Sequence, residues 1–215
     1  MFPLSDTKTS GKFPFWVVVF ILVNCYVFIL ELVSPNLDAF VVQYSLIPAK
    51  VNFFEIRSLT AFITSQFLHG GFVHIISNMW FLWVFGDNVE GRLGFFLFPL
   101  LYIISGIFGG LVQYLLDPAS SVPMLGASGA IAGVLGAYLG LFPHNTIKTL
   151  VPVFGFLTVV NVPAYFLLFL WFVTQLFNGS ASIVADTASL GGVAFFAHVG
   201  GFAVGWVISK KVRPV

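Results

Sequence analysis

The chain has 215 residues, of which 59% are hydrophobic, 18% aromatic and only 8% charged, with a formal net charge of +1. A soluble domain carries about 25% charged residues, so this chain cannot clothe itself in polar surface and reads as an integral membrane protein. The small net charge gives no footing for nucleic acid, and the single cysteine, Cys25, excludes internal disulfides and cysteine-based metal sites.

Six apolar segments can be drawn in chain order: Phe15–Val33, Phe72–Asp87, Phe95–Leu116, Ser128–Phe142, Asn161–Phe177 and Gly191–Ser209. The expected fold class is therefore all-α, a polytopic bundle of six transmembrane helices with no separate soluble domain. Residues 1–14 are read as an inner tail, 15–209 as the helical domain and 210–215 as a basic tail. The first run has full spanning length and no small-residue cleavage site after it, so it is read as a retained helix. With both termini inside, the inner segments hold Lys8, Lys12, Arg92, Lys148, Lys210, Lys211 and Arg213, against Lys50 and Arg57 outside. Seven of nine cations inside is the bias expected of this orientation in a cell membrane, with both ends cytoplasmic.

The long first loop repeats Leu37, Phe40, Val41 and Tyr44 at helical spacing after Asn36, a plausible N-cap. Leu59, Phe62, Ile63 and Phe67 nearly repeat the pattern. Both pieces fit amphipathic helices in the headgroup region, or helices packed on top of the bundle. The fourth span is short and follows a loop, Asp117 to Gly126, with breakers at both ends. Such a loop dips into the protein, because irregular backbone at membrane depth survives only where it lines a protein cavity. Residues Thr149–Val160 are apolar but short, contain Pro152 and Gly155, and are read as interfacial.

Polar groups at membrane depth are functional suspects. Ser128 lies in Met124-Leu-Gly-Ala-Ser-Gly-Ala-Ile-Ala-Gly133, at the start of the short helix. In the orientation above, the spans carrying Ser128, His198, and the pair His74 and Asn78 all run inward, which puts the four groups in the outer part of the bilayer. His74 and Asn78, four apart, share a face. Gly129, Gly133, Gly136 and Gly140 form a stripe beside Ser128, and Gly201 and Gly205 lie on the face of His198. Small-residue stripes let helix backbones approach, so these two helices are expected to touch with Ser128 and His198 at the contact. A serine hydroxyl needs a base, and neutral imidazole is the usual one. An oxyanion needs donors, which the Asn78 amide, the His74 ring and the Ser128 backbone N–H can supply. No acid is well placed for a triad: Asp186 precedes His198 in a loop, and Asp117 lies above the dipping segment. A Ser–His dyad is expected.

Three segments carry a resemblance: His69-Gly-Gly-Phe-Val-His-Ile-Ile-Ser-Asn78, Gly126-Ala-Ser-Gly129 and Ala197-His-Val-Gly-Gly-Phe-Ala-Val-Gly205. They resemble the rhomboid family of intramembrane serine proteases, in the family's order and on its second, fourth and sixth helices. Gly86, Glu90 and Gly94 are similar too. The resemblance implies Ser128 as nucleophile, His198 as general base, and His74 with Asn78 in the oxyanion hole. It further implies His69 as a support for the first loop, Glu90 as a buried brace at the inner side, and Gly126, Gly129, Gly201 and Gly205 as structural supports. The implied activity is cleavage of other membrane proteins in or next to their transmembrane segments, without cofactor or metal. Entry would be lateral, between the second and fifth spans. Two positions depart from the family's pattern. Thr60 and Ala61 stand where many members carry a Trp-Arg pair in the first loop. Ala132 stands where many carry an aromatic that packs on the catalytic histidine.

Three other readings compete. Of the four histidines, His69, His74 and His198 could approach one another around zinc, but no His-Glu-x-x-His is present and Ser128 would be unexplained. A transporter should show an inverted repeat or an intramembrane carboxylate for ion coupling. A catalytically inactive rhomboid-like binder of transmembrane helices should have lost Ser128 or His198.

Overall fold

The run Phe15–Val33 carries no proline or glycine to interrupt it and forms α1, in a computed structural model that describes residues 1–153, 155–184 and 193–212. The helix starts without a side-chain cap of its own. Its orphan N–H groups at Trp16 and Val17 instead each donate, at 2.9 Å, to the two carboxylate oxygens of buried Glu90. An anion at a helix N-terminus is favoured by the aligned peptide dipoles as well as by the bonds themselves.

The first loop contains α2 (Leu37–Tyr44) and α3 (Ile56–Thr64). Asn36 caps α2 as its sequence predicts, its side chain accepting from the Ala39 N–H at 3.0 Å. No residue of α2 is buried, whereas α3 turns Phe62 inward and leaves Ile56 exposed. The loop is anchored without the Trp-Arg pair. Thr64 Oγ1 donates to the Tyr44 carbonyl at 2.7 Å, and the His69 N–H donates to buried Glu31 at 2.9 Å. Gln66 lies so close to Gly106 that a Cβ there would collide with its amide.

The second and third apolar segments form one 45-residue element, α4 (Phe72–Leu116), broken at Gly94, where φ is 80°. That left-handed conformation is open to glycine and costly for other residues. The first arm therefore runs on past Asp87, through Glu90, to the break, rather than ending where apolarity ends. The short fourth helix is α5 (Ser128–Leu141), the fifth span α6 (Ala164–Val184) and the last α7 (Phe195–Ser209). Among the described residues three helices, α1, α4 and α6, are long and apolar enough to cross a membrane. At 1.5 Å rise per residue, the 14 residues of α5 reach only about 21 Å, well short of a ~30 Å hydrocarbon core.

The all-α expectation needs one correction. Residues read as an interfacial segment form an antiparallel hairpin, β2 (Thr146–Val153) and β3 (Phe156–Pro163), turning at Gly155 with φ 85°. Strand β1 (Phe2–Asp6) pairs with β2 to complete a three-stranded sheet. The cause is a period of two: Ile147, Thr149 and Val151 are buried while Lys148 faces out. The N-terminal residues are accordingly not a loose tail. Asp6 accepts hydrogen bonds from Asn88, Tyr138 and Asn145, and Trp80 Nε1 donates to the Pro3 carbonyl at 2.7 Å. The last span was expected from Gly191, which lies outside the described residues, as do Asp186 and residues 213–215 of the basic tail.

Helices α5 and α7 meet backbone to backbone. A Cβ on Gly201 would run into the Gly129 carbonyl, and one on Gly205 into the Gly133 carbonyl. Gly136 and Gly140 lie as tightly on Phe202 and Ser209. Contact of backbone on backbone leaves nothing that can give way. Gly205→Val should therefore lower stability by about 1–3 kcal/mol, read as a fall in the thermal midpoint in detergent; an unchanged midpoint would contradict this packing. Glu90→Ala orphans two helix N–H groups and should cost about 2 kcal/mol, with Glu90→Gln losing less because one acceptor remains.

Candidate active site

The segment before α5 descends as irregular chain, and its backbone is satisfied by the first loop. Leu46 and Met124 exchange N–H···O bonds at 3.0 and 2.8 Å, Ala49 N–H donates to Ser120 at 2.9 Å, and Gly126 N–H donates to Ser65 at 2.9 Å. This pairing lets non-helical backbone exist at depth. It delivers Ser128 to the floor of a cleft of about 1150 Å³, whose lining includes His74, Asn78, Ser128 and His198.

Four groups from three helices meet there. Ser128 is the first residue of α5. His198 is in the first turn of α7, which begins at Phe195. The Ser128 Oγ lies 2.7 Å from His198 Nε2. On α4, His74 and Asn78 close the opposite side around Gly126. A Cβ at Gly126 would stand 2.7 Å from both Cε1 and Nε2 of His74 and 3.7 Å from Asn78 Nδ2. Gly126 also has φ 125°, so both space and backbone conformation demand glycine. Gly129, one residue past the serine, sits against the Ala197 carbonyl.

His69 supports this wall from behind. Its Nε2 is 3.0 Å from Asn78 Nδ2, and its ring meets His74 edge-on with centroids 5.1 Å apart. Burial first, and the neighbouring His74 second, pull the His69 imidazole down to about pKa 4. A neutral ring can accept from the Asn78 amide, which fixes that amide and leaves its second N–H for the cleft. Among the described residues no side chain caps α5, so its first N–H groups, Ser128's included, also remain for an anion in the cleft.

The imidazole is held by residues that the sequence reading missed. His198 Nδ1 lies 2.7 Å from Gln175 Oε1, and the Trp171 indole stacks on the ring with centroids 5.9 Å apart at 30°. Both come from α6, one turn apart. Ala132 is fully buried and carries no ring to stack on His198; that contact comes from Trp171 instead. A glutamine inside an apolar span is itself a polar group at depth, and that was the available signal. Asp117 lines the cleft without reaching the imidazole's partners. His144 is exposed, at the end of α5 away from Ser128. Both ring nitrogens of His198 face protein atoms and His69 Nε2 faces Asn78, an arrangement that suits hydrogen bonding rather than three histidines around zinc.

Comparison with known proteins agrees with a multi-span membrane fold. The Rhomboid domain model matches residues 57–214. RHOMBOID-like protein 4 of Arabidopsis thaliana is 36% identical over 158 residues, covering 71% of this chain and 34% of its own length. Rhomboid protein 1, mitochondrial, of Saccharomyces cerevisiae is 34% identical over 166 residues, covering 74% of this chain and 44% of its own. RHOMBOID-like protein 5 of Arabidopsis thaliana is 44% identical over 77 residues, covering 36% of this chain and 25% of its own. The chain thus spans less than half the length of these relatives. Its helical, multi-span body and the extent of the domain match place it plainly: this chain is a member of the rhomboid family.

Proposed function

We propose that the chain is an intramembrane serine endopeptidase that hydrolyses peptide bonds in or next to transmembrane segments of other membrane proteins. The observation that carries this reading is the 2.7 Å approach of Ser128 Oγ to His198 Nε2 on the floor of the cleft. An inactive binder of helices has no need of that pair.

In this mechanism Ser128 Oγ attacks the scissile carbonyl carbon while His198 Nε2 takes the hydroxyl proton. The carbonyl oxygen becomes an oxyanion, received by N–H groups of Asn78, the His74 ring and the Ser128 backbone. Collapse of the tetrahedral intermediate breaks the C–N bond, and the imidazolium returns its proton to the leaving amine. Water from the cleft then hydrolyses the acyl-serine by the same route in reverse roles. No cofactor or metal takes part.

The topology that serves this chemistry is a six-span bundle over 15–209, with α1, the two arms of α4, α5, α6 and α7 as the spans. In this reading the protein lies in the plasma membrane with both ends cytoplasmic, which the distribution of seven cations against two supports. Substrate enters laterally between the first arm of α4 and α6. An apolar gap of about 240 Å³ separates these helices on the side of the N-terminal strand, lined by Phe81 and Phe85, by Leu167 and Trp171, and by Met1 and Pro3. A helical substrate shields its own peptide bonds, so glycine, proline or polar residues that ease local unwinding should mark the cleaved region.

Ser128→Ala and His198→Ala should each abolish cleavage of a transmembrane reporter, by about 10⁶-fold or to the detection limit, with the fold intact. A serine-directed fluorophosphonate should label the wild type and neither variant. Full cleavage by Ser128→Ala would remove the mechanism. Asn78→Ala should keep the nucleophile–base pair but lose one oxyanion donor, lowering kcat by about 10²- to 10³-fold; a wild-type kcat would take Asn78 out of the oxyanion hole.

A further inference from the structure

We infer that Gln175 is a positioning residue for the base: it holds His198 in the one tautomer that can accept the Ser128 proton, as a neutral stand-in for the acid of a triad. The inference rests on the reading of Ser128 and His198 as nucleophile and base.

A neutral imidazole carries one proton, and either nitrogen can hold it. With the proton on Nε2, the ring presents a donor to Ser128 and cannot take its hydrogen. With the proton on Nδ1, the lone pair of Nε2 faces the hydroxyl and general-base chemistry can proceed. The choice is therefore made by whatever faces Nδ1. That group is Gln175 Oε1 at 2.7 Å, on a side chain only 8% exposed. The amide's own orientation is settled locally. Its Nε2 lies 3.4 Å from both the Trp171 carbonyl and Thr174 Oγ1, which leaves the oxygen end for His198. A carbonyl oxygen accepts and never donates, so this contact admits the Nδ1–H tautomer alone.

The surroundings leave this task to Gln175. The groups around the imidazole are His74 from α4, Ser128 from α5, Trp171 and Gln175 from α6, and Phe195 from α7 itself. No carboxylate is among them; Asp117 lines the same cleft, and Asp186 lies outside the described residues. Trp171 and Phe195 restrict the tilt of the ring, yet neither discriminates between its nitrogens. When Nε2 takes the serine proton, the Nδ1–H···O bond becomes charge-assisted and strengthens. The stabilisation comes from a dipole, with no second charge buried in an apolar span.

The test uses the full chain in liposomes, with a single-span reporter cleaved over a range of pH. Gln175→Met keeps length and apolar volume but removes the acceptor. Its kcat should fall by about 100-fold while KM stays at the wild-type value, because substrate binding does not involve Nδ1. Gln175→Glu keeps an acceptor and adds charge, so it should recover most of the lost rate. It should also move the acidic limb of the kcat/KM profile up by about 1 pH unit, since a carboxylate favours the protonated ring. Wild-type kcat and pH profile in Gln175→Met, beside an inactive Ser128→Ala, would overturn the inference and leave the dyad standing. A loss in Gln175→Met that Gln175→Glu neither rescues nor shifts along the pH axis marks simple packing and overturns it as well. Cleavage by Ser128→Ala at the wild-type rate would instead bring down the dyad itself. Should Gln175→Glu fail to fold, kcat, KM and pH profile of Gln175→Met decide alone.

Discussion

Two carbonyl oxygens, those of Gly129 and Gly133, lie where side chains on Gly201 and Gly205 would have to be. The meeting of Ser128 with His198 rests on this backbone-on-backbone approach of α5 and α7. It fixes the axial register of the two helices, and with it the level of Ser128 relative to His198. Lipid offers no hydrophobic drive for one apolar helix to bury itself against another, so close packing of small residues has to supply both affinity and register. A larger side chain at Gly201 or Gly205 would collide with the facing backbone and push the helices apart.

That register would be useless if Ser128 sat at the membrane surface. Its depth comes from the descending chain between α4 and α5, which is irregular and so carries polar groups that lipid cannot satisfy. The first loop meets this need. The bonds from Leu46 to Met124, Ala49 to Ser120 and Gly126 to Ser65 make it a partner for backbone rather than a decorative cap. The loop is closed on itself by Thr64 and tied to the bundle by the Gln66–Ile103 and His69–Glu31 bonds. A single polar chain of dependence thus runs from α1 through the first loop to the floor of the cleft.

The sequence made some of this legible and hid the rest, for physical reasons. Glycine stripes are readable because only close approach explains them, so the meeting of α5 and α7 could be read from spacing alone. Asn36 was readable because capping is local. The sheet was not: Pro152 and Gly155 look like breakers in an apolar run, and the alternation of Ile147, Thr149 and Val151 is masked by apolar Leu150 on the other face. Strand β1 was invisible because its partner is more than 140 positions away. Apolarity also misplaced helix ends. The first arm of α4 continues past Asp87 because Glu90 is buried on α1, where a charge has two N–H partners. Gln175 escaped notice because its meaning lies in the atom it faces, and facing depends on how α6 lies against α7.

The site therefore has two mechanical parts. Ser128, Asn78 and the body of α7 are held by glycine contacts and the His69–Asn78 bond. The His198 ring is different: its Nδ1 partner and its stacking face both belong to α6, the helix bordering the apolar gap toward α4. Trp171 takes part in both, stacking on His198 and lining that gap. A substrate helix that pressed α6 aside on its way in would disturb the imidazole. Chemistry would then wait until α6 had settled back against α7 and restored the Gln175 and Trp171 contacts. In the proposed protease this places a conformational requirement directly on the catalytic base, rather than on access to the cleft alone.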